Sequence, residues 1–215
     1  MCFEADDLGE GAEITMNYQT ALALALEVKE TLGPDCERIE IAGGVRRKKE
    51  EPHDIEIVCS PRRELVFGYA NSVDEEIHLL LSSGFFEKGD KDKAGKKAPC
   101  GPKYYRLKYK GEKLDVFVVI PPAQWGVIFT IRTGDADFSH WLVQQGNREG
   151  IVVSEGRLRQ TVNLDGTINK ACGGTNGTFD FRDIATPEEE DVFRVLGVPF
   201  LPPEQRIVEP KVPSQ

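Results

Sequence analysis

Two apolar runs of this chain each carry carboxylates, and that combination strongly restricts how the chain can fold. Asp54 and Glu56 lie one residue apart in the run 54–58, whose other members are isoleucine and valine. Asp115 lies inside a second apolar run, 113–120. Runs of this composition favour β-strands, in which a carboxylate is unfavourable to bury unless it is paired or binds a metal. We therefore expect two neighbouring strands of one sheet that share an acidic site.

The spacing of the first two acids suits a divalent metal. Residues i and i+2 of a strand project from the same face, so Asp54 and Glu56 lie roughly 6 to 7 Å apart. Hard cations prefer carboxylate oxygens, and like charges this close need a cation or a proton between them. Three carboxylates on adjacent strands are typical of a two-metal phosphoryl-transfer site. The alternative is a half-buried edge strand with two acids on its polar face and a solvated charge run at Arg46–Glu51.

A glycine pair and two arginines precede the first acidic run. Gly43 and Gly44 are followed closely by Arg46 and Arg47. Glycine allows the backbone to approach a ligand closely, and the planar guanidinium of arginine suits phosphate oxygens. A triphosphate held by this segment would bring its metal to the carboxylates.

The rest of the pattern predicts helices and further strands around these two runs. Apolar residues at helical spacing predict helices, Ser72 is a possible helix cap, and alternation predicts half-buried strands. The predicted helices are 18–32, ended by Gly33-Pro34, and 72–81, ended by Gly84; the predicted strands are 38–42 and 105–109; the segments 125–131 and 138–145 are helical or mixed; 88–103 is a mobile loop and 163–178 is rich in turns.

Four motifs in this order resemble the family X DNA polymerases, the group that includes DNA polymerase beta. The glycine–arginine segment 43–47, the acids described above, and Asp115 are similar to the palm of that family. The segment 132–138, which contains Thr133-Gly134, resembles its nucleotide-sugar loop. The segment 186–206, with its Leu-Gly-Val-Pro and Pro-Glu-Gln-Arg sequences, resembles the end of its thumb.

The resemblance implies an α+β fold with a nucleotidyltransferase palm. In that fold a mixed sheet is flanked by helices, and a small C-terminal α/β thumb subdomain follows. The implied division is an N-terminal tail and lead-in helix over 1–37, a palm with the catalytic carboxylates over 38–121, and a thumb and nucleotide-binding subdomain over 122–215. Pro121-Pro122 marks the boundary.

The resemblance also implies a metal centre and its ligands. Asp54 and Glu56 would bridge two magnesium ions, for which manganese could substitute, and Asp115 would ligate the catalytic ion. Such ions help to remove a proton from a primer hydroxyl and neutralise the leaving pyrophosphate.

Nucleotide and DNA contacts follow from the same resemblance. Gly43, Gly44 and Arg47 would hold the triphosphate, and Thr133, Gly134 and Asp137 would lie at the nucleotide. Lys113 would contact a primer phosphate beside the third carboxylate, and His140 is assigned to DNA because it lies near the nucleotide loop.

The function implied is transfer of a nucleotide from a dNTP to the 3′-hydroxyl of a DNA primer, with short-gap or repair-type synthesis directed by a template. The partners would be primer-template or gapped DNA, and the protein would be a monomer. The short segment before the palm predicts a minimal, phage- or virus-like member that lacks the N-terminal lyase domain. Two alternatives remain open: a template-independent or small-molecule nucleotidyltransferase of the same fold, and an inactive nucleic-acid-binding module.

Composition and charge limit the setting. Five widely spaced cysteines without a Cys-x-x-Cys pair argue against a disulfide scaffold and against structural zinc. No apolar run is long enough to cross a bilayer and the N-terminus lacks the layout of a signal peptide, so we expect a cytoplasmic protein without a membrane partner. Because phosphate contacts dominate DNA affinity, the net charge of −9 predicts modest binding that weakens with salt.

The residues before Thr133-Gly134 generate a prediction about sugar choice. Members of the resembled family commonly carry aromatic residues there, whereas this chain has Ile131-Arg132. The steric exclusion of a ribose 2′-hydroxyl should therefore be weaker. A clash of this size contributes roughly 1–3 kcal/mol to discrimination between the two sugars, or about 10- to 200-fold. We expect deoxynucleotides to be preferred, but less strongly than by aromatic-bearing relatives, when kcat/KM is compared for dGTP and GTP on one primer. A preference of many thousandfold would contradict this expectation.

Overall fold

The computed structural model describes residues 16–62, 71–90, 98–170 and 179–207. In these parts the chain forms six α-helices and nine strands. In chain order they are α1 (Tyr18–Leu32), β1 (Cys36–Ile41), α2 (Gly43–Arg46), β2 (Ile55–Pro61), α3 (Ser72–Ser83), β3 (Glu87–Lys88), β4 (Cys100–Gly101), β5 (Tyr104–Tyr109), β6 (Glu112–Val118), α4 (Trp125–Thr133), α5 (Ala136–Asn147), β7 (Ile151–Ser154), β8 (Arg157–Asn163), β9 (Phe179–Ile184) and α6 (Glu189–Val195).

A mixed sheet forms the first half of the molecule. Its strand order is β1-β2-β6-β5-β3, and β4 also pairs with β5. The β2–β6 pair is parallel, while the other pairs are antiparallel. This α+β arrangement, with a mixed sheet flanked by helices, confirms the predicted fold class.

Each face of this sheet packs against a different helical layer. One face joins α1 and α3 in a core that includes Ile55, Leu114 and Tyr105, all fully buried. The opposite face packs against α4, where Trp125 and Phe129 join a second cluster. Because side chains alternate along a strand, every second residue of β2 and β6 faces α4 rather than the larger core.

The helix α1 has the bounds that its periodicity predicted. Asn17 caps it by accepting a hydrogen bond from the Thr20 amide, and the buried face carries small and aliphatic side chains that pack on the sheet. The strands predicted from alternation, β1 and β5, also form as expected, within one or two residues.

Three local predictions need correction. Asn71, not Ser72, caps α3: its side chain accepts from the Asp74 amide, and Ser72 instead donates to the Asp35 carbonyl. The ends of the predicted loop 88–103 are not free, because Lys88 lies in β3 and β4 pairs with β5. Within 163–170, the described part of the predicted turn-rich segment 163–178, the prediction needs correction at two residues, because Asn163 ends β8 and Ile168 forms a bridge with Val162.

Several sequence predictions fall outside the described residues. They concern the N-terminal tail before residue 16, the centre of the lysine-rich loop at 91–97, and the segment 171–178 with its Gly173-Gly174 pair. No helix in the described ranges is long and apolar enough to span a membrane.

The second half contains the antiparallel sheet β7-β8-β9 and the helices α5 and α6. Phe138, Trp141 and Phe193 lie in its core. The helix α4 serves both halves, because its Val127 enters this core while Trp125 packs on the mixed sheet. The predicted boundary at residues 121–122 stays a prediction.

A buried ion network joins the two halves. Arg46 of α2 donates to both carboxylate oxygens of Glu189 in α6, at 2.8 and 2.6 Å. Arg206 donates to the same carboxylate and, through Nε, to the Leu201 carbonyl at 2.8 Å. The Arg206 side chain is 0% exposed and that of Glu189 7%. Burial alone would raise the pKa of Glu189, but the hydrogen bonds from both arginines outweigh it and lower this pKa.

This network predicts that Glu189→Gln destabilises the protein. Breaking a buried ion pair by removing one partner costs about 3–5 kcal/mol. Because the folded pKa of Glu189 is depressed, its contribution is present above the unfolded pKa and is lost as pH falls through the folded pKa. Urea unfolding at neutral pH should show the full loss in the free energy of unfolding. The difference in this free energy between wild type and variant should become smaller in acid. The matched control is Glu190→Gln, which changes an exposed glutamate of the same helix; an equal loss in both variants would contradict the assignment.

Candidate active site

The parallel pairing of β2 and β6 brings the predicted acids together. Glu56 and Asp115 are direct partners in the register of the two strands. Their neighbours Ile55 and Leu114 point into the larger core, so both carboxylates lie on the opposite face. Asp54 lies in a bend one residue before β2 begins, not within the strand as the sequence pattern predicted.

The three carboxylates form one electrostatic cluster. Burial, followed by the charges of Asp54 and Asp115, raises the pKa of Glu56 to about 8. Burial and the charge of Asp115 also raise the pKa of Asp54. Arg132 and Arg47 act in the other direction on Glu56, because their positive charges lower its pKa. Negative charge is thus unfavourable at this point of the sheet, and a bound cation would stabilise it.

Gly43 is required by the geometry of this cluster. Its φ is +57°, a conformation that residues with a Cβ rarely adopt, and a Cβ built on it would lie 1.7 Å from Oε2 of Glu56. The Glu56 carbonyl also accepts a hydrogen bond from the Ala42 amide at 2.8 Å. Gly44 has no such constraint, since a Cβ there would meet Pro52 at an ordinary 3.6 Å. Gly43 thus lets α2 begin directly against the side chain of Glu56.

The glycine–arginine segment lies beside the predicted sugar loop. Arg47 donates through Nη1 to the Thr133 carbonyl at 2.6 Å, and Arg46 donates to the Thr133 hydroxyl at 2.6 Å. The Arg46 guanidinium also lies 3.8 Å from the centroid of the Phe129 ring. The alternative in which Arg46–Glu51 is wholly a solvated charge run is therefore wrong at its first two residues.

Thr133 and Gly134 end α4 against the start of α5. Thr133 is fully buried, and a Cβ on Gly134 would lie 2.2 Å from the ring of Phe138. Asp135 caps α5 by accepting from the Phe138 amide at 2.7 Å. The turn is therefore fixed by packing and capping, and its backbone is held near the acidic cluster through Arg47.

Three further predicted contacts have exposed side chains. Lys113 lies on β6 on the same face as Asp115, while Asp137 and His140 lie on α5. Nε2 of His140 lies 2.6 Å from the Gln144 amide nitrogen. The roles assigned to these residues stay predictions.

The structure adds Arg106, which the motifs missed, and shows how Arg132 of the sugar-loop motif packs. Arg106 of β5 donates to both oxygens of Asp115, at 3.1 and 3.3 Å. The Arg132 guanidinium lies 3.9 Å from the centroid of the Phe117 ring. This ring also stacks on Tyr104, with the two ring centroids 4.8 Å apart and an angle of 1° between the ring planes. Arg132 is thus packed against an aromatic pair rather than free. The alternation of β5 could have placed Arg106 on the face of the acids, but no motif pointed to it.

The donor set fits magnesium in its chemistry. The three neighbouring carboxylates supply the hard oxygen ligands that this ion prefers. Within the described ranges, however, no group of three His, Cys, Asp or Glu side chains is arranged to hold a metal.

Comparison with known proteins finds similarity to DNA polymerase beta. Residues 129–207 match the family described as the DNA polymerase beta thumb. A crystal structure of Leishmania infantum polymerase beta in a ternary P/T complex shares 21% sequence identity with this chain, with a TM-score of 0.59, over 90% of this chain and 77% of that one. Comparison with curated protein sequences found no match. The chain thus has a polymerase beta-like fold, and its segment 129–207 is similar to the polymerase beta thumb.

The two glycines generate a paired prediction. Gly43→Ala places a Cβ where the Glu56 carboxylate lies and forces a left-handed conformation, so we expect a loss of stability of about 1–2 kcal/mol or more. Gly44→Ala meets only ordinary contacts and should change stability by less than about 0.5 kcal/mol. Urea unfolding of the two variants tests this. Equal effects at both positions would show that the Glu56 side chain does not lie against Gly43.

Proposed function

We propose that this protein transfers nucleotides from dNTPs to the 3′-hydroxyl of a DNA primer, in metal-dependent, template-directed synthesis of the short-gap or repair type. The observation that carries the proposal is the convergence of Asp54, Glu56 and Asp115 at the parallel β2–β6 pair, in a chain whose second half matches a polymerase thumb. Three carboxylates concentrated in this way have a direct use in a two-metal nucleotidyl transfer.

Each part of the site has a task in this proposal. The three carboxylates would hold two magnesium ions, and manganese could replace them. When bound, such ions lower the pKa of the primer hydroxyl and neutralise the pyrophosphate that leaves. The protein itself would position the reactants, which is a large part of catalysis in phosphoryl transfer.

The nucleotide would lie between α2 and the end of α4. The backbone of Gly43 and Gly44 would approach the triphosphate, and the backbone of Thr133 and Gly134 would lie against the sugar, with Asp137 nearby. Arg47 would exchange its hydrogen bond to the Thr133 carbonyl for one to a phosphate. A charged acceptor makes the stronger hydrogen bond, so this exchange is favourable.

Primer-template or gapped DNA is the proposed partner, bound by a monomer. Lys113 lies beside Asp115 and can meet a primer phosphate, and His140 is assigned to the DNA on the nucleotide side. The related Leishmania structure is itself described as a ternary P/T complex. With a net charge of −9, attraction to DNA has to come from such local cations.

A template-independent or small-molecule nucleotidyltransferase is the second candidate, because the same carboxylates would serve it. The thumb match over 129–207 favours the polymerase, since a transferase acting on small molecules has no use for this segment. An inactive nucleic-acid-binding module is the third, and it would have no need of three clustered acids.

Primer extension separates these candidates. The substrates are a short-gapped duplex, a recessed primer-template and the single-stranded primer, each with one dNTP at a time and with magnesium, manganese or EDTA. We expect extension that needs metal, depends on the templating base and is greatest on the gapped duplex. Extension of the single strand with any dNTP would favour the second candidate, and no extension under any condition would favour the third.

The carboxylates provide the sharpest mutational test of the proposal. Asp54→Asn and Asp115→Asn should each reduce extension at least about a thousandfold, because loss of a metal ligand removes several kcal/mol of transition-state stabilisation. Both variants should stay folded, since each removal also relieves acid–acid repulsion. Asp180→Asn, which changes an exposed acid of β9, is the control and should extend normally. Near-normal extension by either folded site variant would overturn the assignment.

A further inference from the structure

The third carboxylate of the site is engaged by an arginine of the neighbouring strand. Nε of Arg106 lies 3.1 Å from Oδ1 of Asp115, and Nη2 lies 3.3 Å from Oδ2. Both oxygens therefore face a guanidinium. The Asp115 side chain is 10% exposed, whereas that of Arg106 is 46% exposed.

The sheet itself dictates this pairing. Arg106 and Asp115 are direct partners in the antiparallel β5–β6 register. Tyr105 and Leu107, on either side of Arg106, are fully buried in the larger core, so Arg106 projects from the face that carries the acids. The contact follows from the fold and does not depend on a flexible surface arrangement.

A divalent cation on Asp115 would lie close to this guanidinium. Like charges at such short range repel, and the repulsion is strongest where burial excludes water. Arg106 and a metal ion therefore compete for the same carboxylate.

We propose that Arg106 is an exchangeable counter-ion for Asp115, which neutralises the third carboxylate in the metal-free protein and withdraws when a divalent cation binds. Arg106 is in this sense a positioning residue that sets the metal affinity of the site. The inference rests on the proposed function, because it takes Asp115 to be a metal ligand.

The surroundings of Arg106 allow such an exchange. Nearly half of its side chain is already in contact with solvent, so the guanidinium can leave Asp115 without crossing a packed core. It also lies 5.7 Å from the centroid of the Tyr104 ring, within the range of a cation–π contact. Arg206 in the buried network offers the contrast, because its side chain is 0% exposed.

The exchange also explains how three acids are tolerated without metal. Burial and mutual repulsion disfavour their charges, and Arg106 offsets part of this at Asp115. On release, the guanidinium stays on the face that carries Lys113, where it adds to the positive charge available to a DNA phosphate.

Manganese binding without nucleotide or DNA tests the proposal directly. Free Mn²⁺ is measured by electron paramagnetic resonance in titrations of wild type, Arg106→Gln, Arg106→Lys, Lys108→Gln and Asp115→Asn. Lys108 is the matched control, because it lies two residues further along the same face of β5 and pairs with the exposed Asp90 at 2.8 Å.

We expect Arg106→Gln to bind Mn²⁺ about 3- to 10-fold more tightly than wild type, the range for loss of a partly exposed ion pair. Arg106→Lys keeps the charge but loses the planar fork, so its Mn²⁺ affinity should lie between those of wild type and Arg106→Gln. Lys108→Gln should bind as wild type does, and Asp115→Asn should bind more weakly.

Thermal unfolding gives a second readout that does not depend on activity. Without metal, Arg106→Gln should have a lower Tm than wild type, because Asp115 loses its counter-ion. With saturating Mn²⁺ the same variant should gain more in Tm than wild type does. A residue with a purely structural role would lower Tm equally in both conditions.

The outcomes separate the two proposals. If wild type binds Mn²⁺ and Asp115→Asn does not, but Arg106→Gln binds as wild type does, the counter-ion role is overturned and the metal centre stands. An equal gain in Mn²⁺ affinity in Lys108→Gln would also overturn the counter-ion role, since the loss of any nearby positive charge would then explain the effect. If no variant binds Mn²⁺, the metal centre and the counter-ion role fall together.

Discussion

The parallel pairing of β2 with β6 is the interaction on which the rest of the site depends. It sets Glu56 opposite Asp115, and the two-residue period of a strand then places both carboxylates on one face while Ile55 and Leu114 enter the core on the other. The free energy that keeps these acids together comes from the apolar face of the same strands. A slip of one residue in this register would move the acids into the core, so the packing of that core also specifies the geometry of the site.

The buried ion network fixes the second half of the molecule against the glycine–arginine segment of the first half. Arg46 lies two residues after the glycine pair and binds Glu189, while its Nη1 also donates to the Thr133 hydroxyl. The segments proposed to hold the triphosphate and the sugar are therefore connected by a few short hydrogen bonds. Because a buried ion that loses its partner is strongly destabilising, these contacts hold α2, α4 and α6 in one arrangement. The same residues thus contribute to stability and to positioning.

Local periodicity is enough to predict the helix α1, the strands β2 and β6, and the acids Glu56 and Asp115 that these strands carry, whereas Asp54 lies just before β2. Periodicity fails where the deciding partner is distant in the chain or is a neighbouring cap. The sequence leaves open the alternative that groups Arg46 with a solvated charge run, because the partner Glu189 lies 143 residues away. The sequence indicates Ser72 as a possible cap, whereas Asn71 is the cap; both are good capping residues, and only the backbone geometry decides between them. The strand pairing of Lys88 depends on β5 in the same way.

The cations around the acids give the metal-free site its own charge balance. Arg106 binds Asp115, and the charges of Arg47 and Arg132 lower the pKa of Glu56 against the larger effect of burial. Phe117, stacked between Tyr104 and Arg132, provides a rigid apolar surface for one of these cations. Every positive charge that stabilises the acids without metal also reduces their attraction for a metal ion. A site built in this way gains stability in the metal-free state at the expense of metal affinity, and the exposure of each arginine determines how easily that balance shifts when a metal arrives.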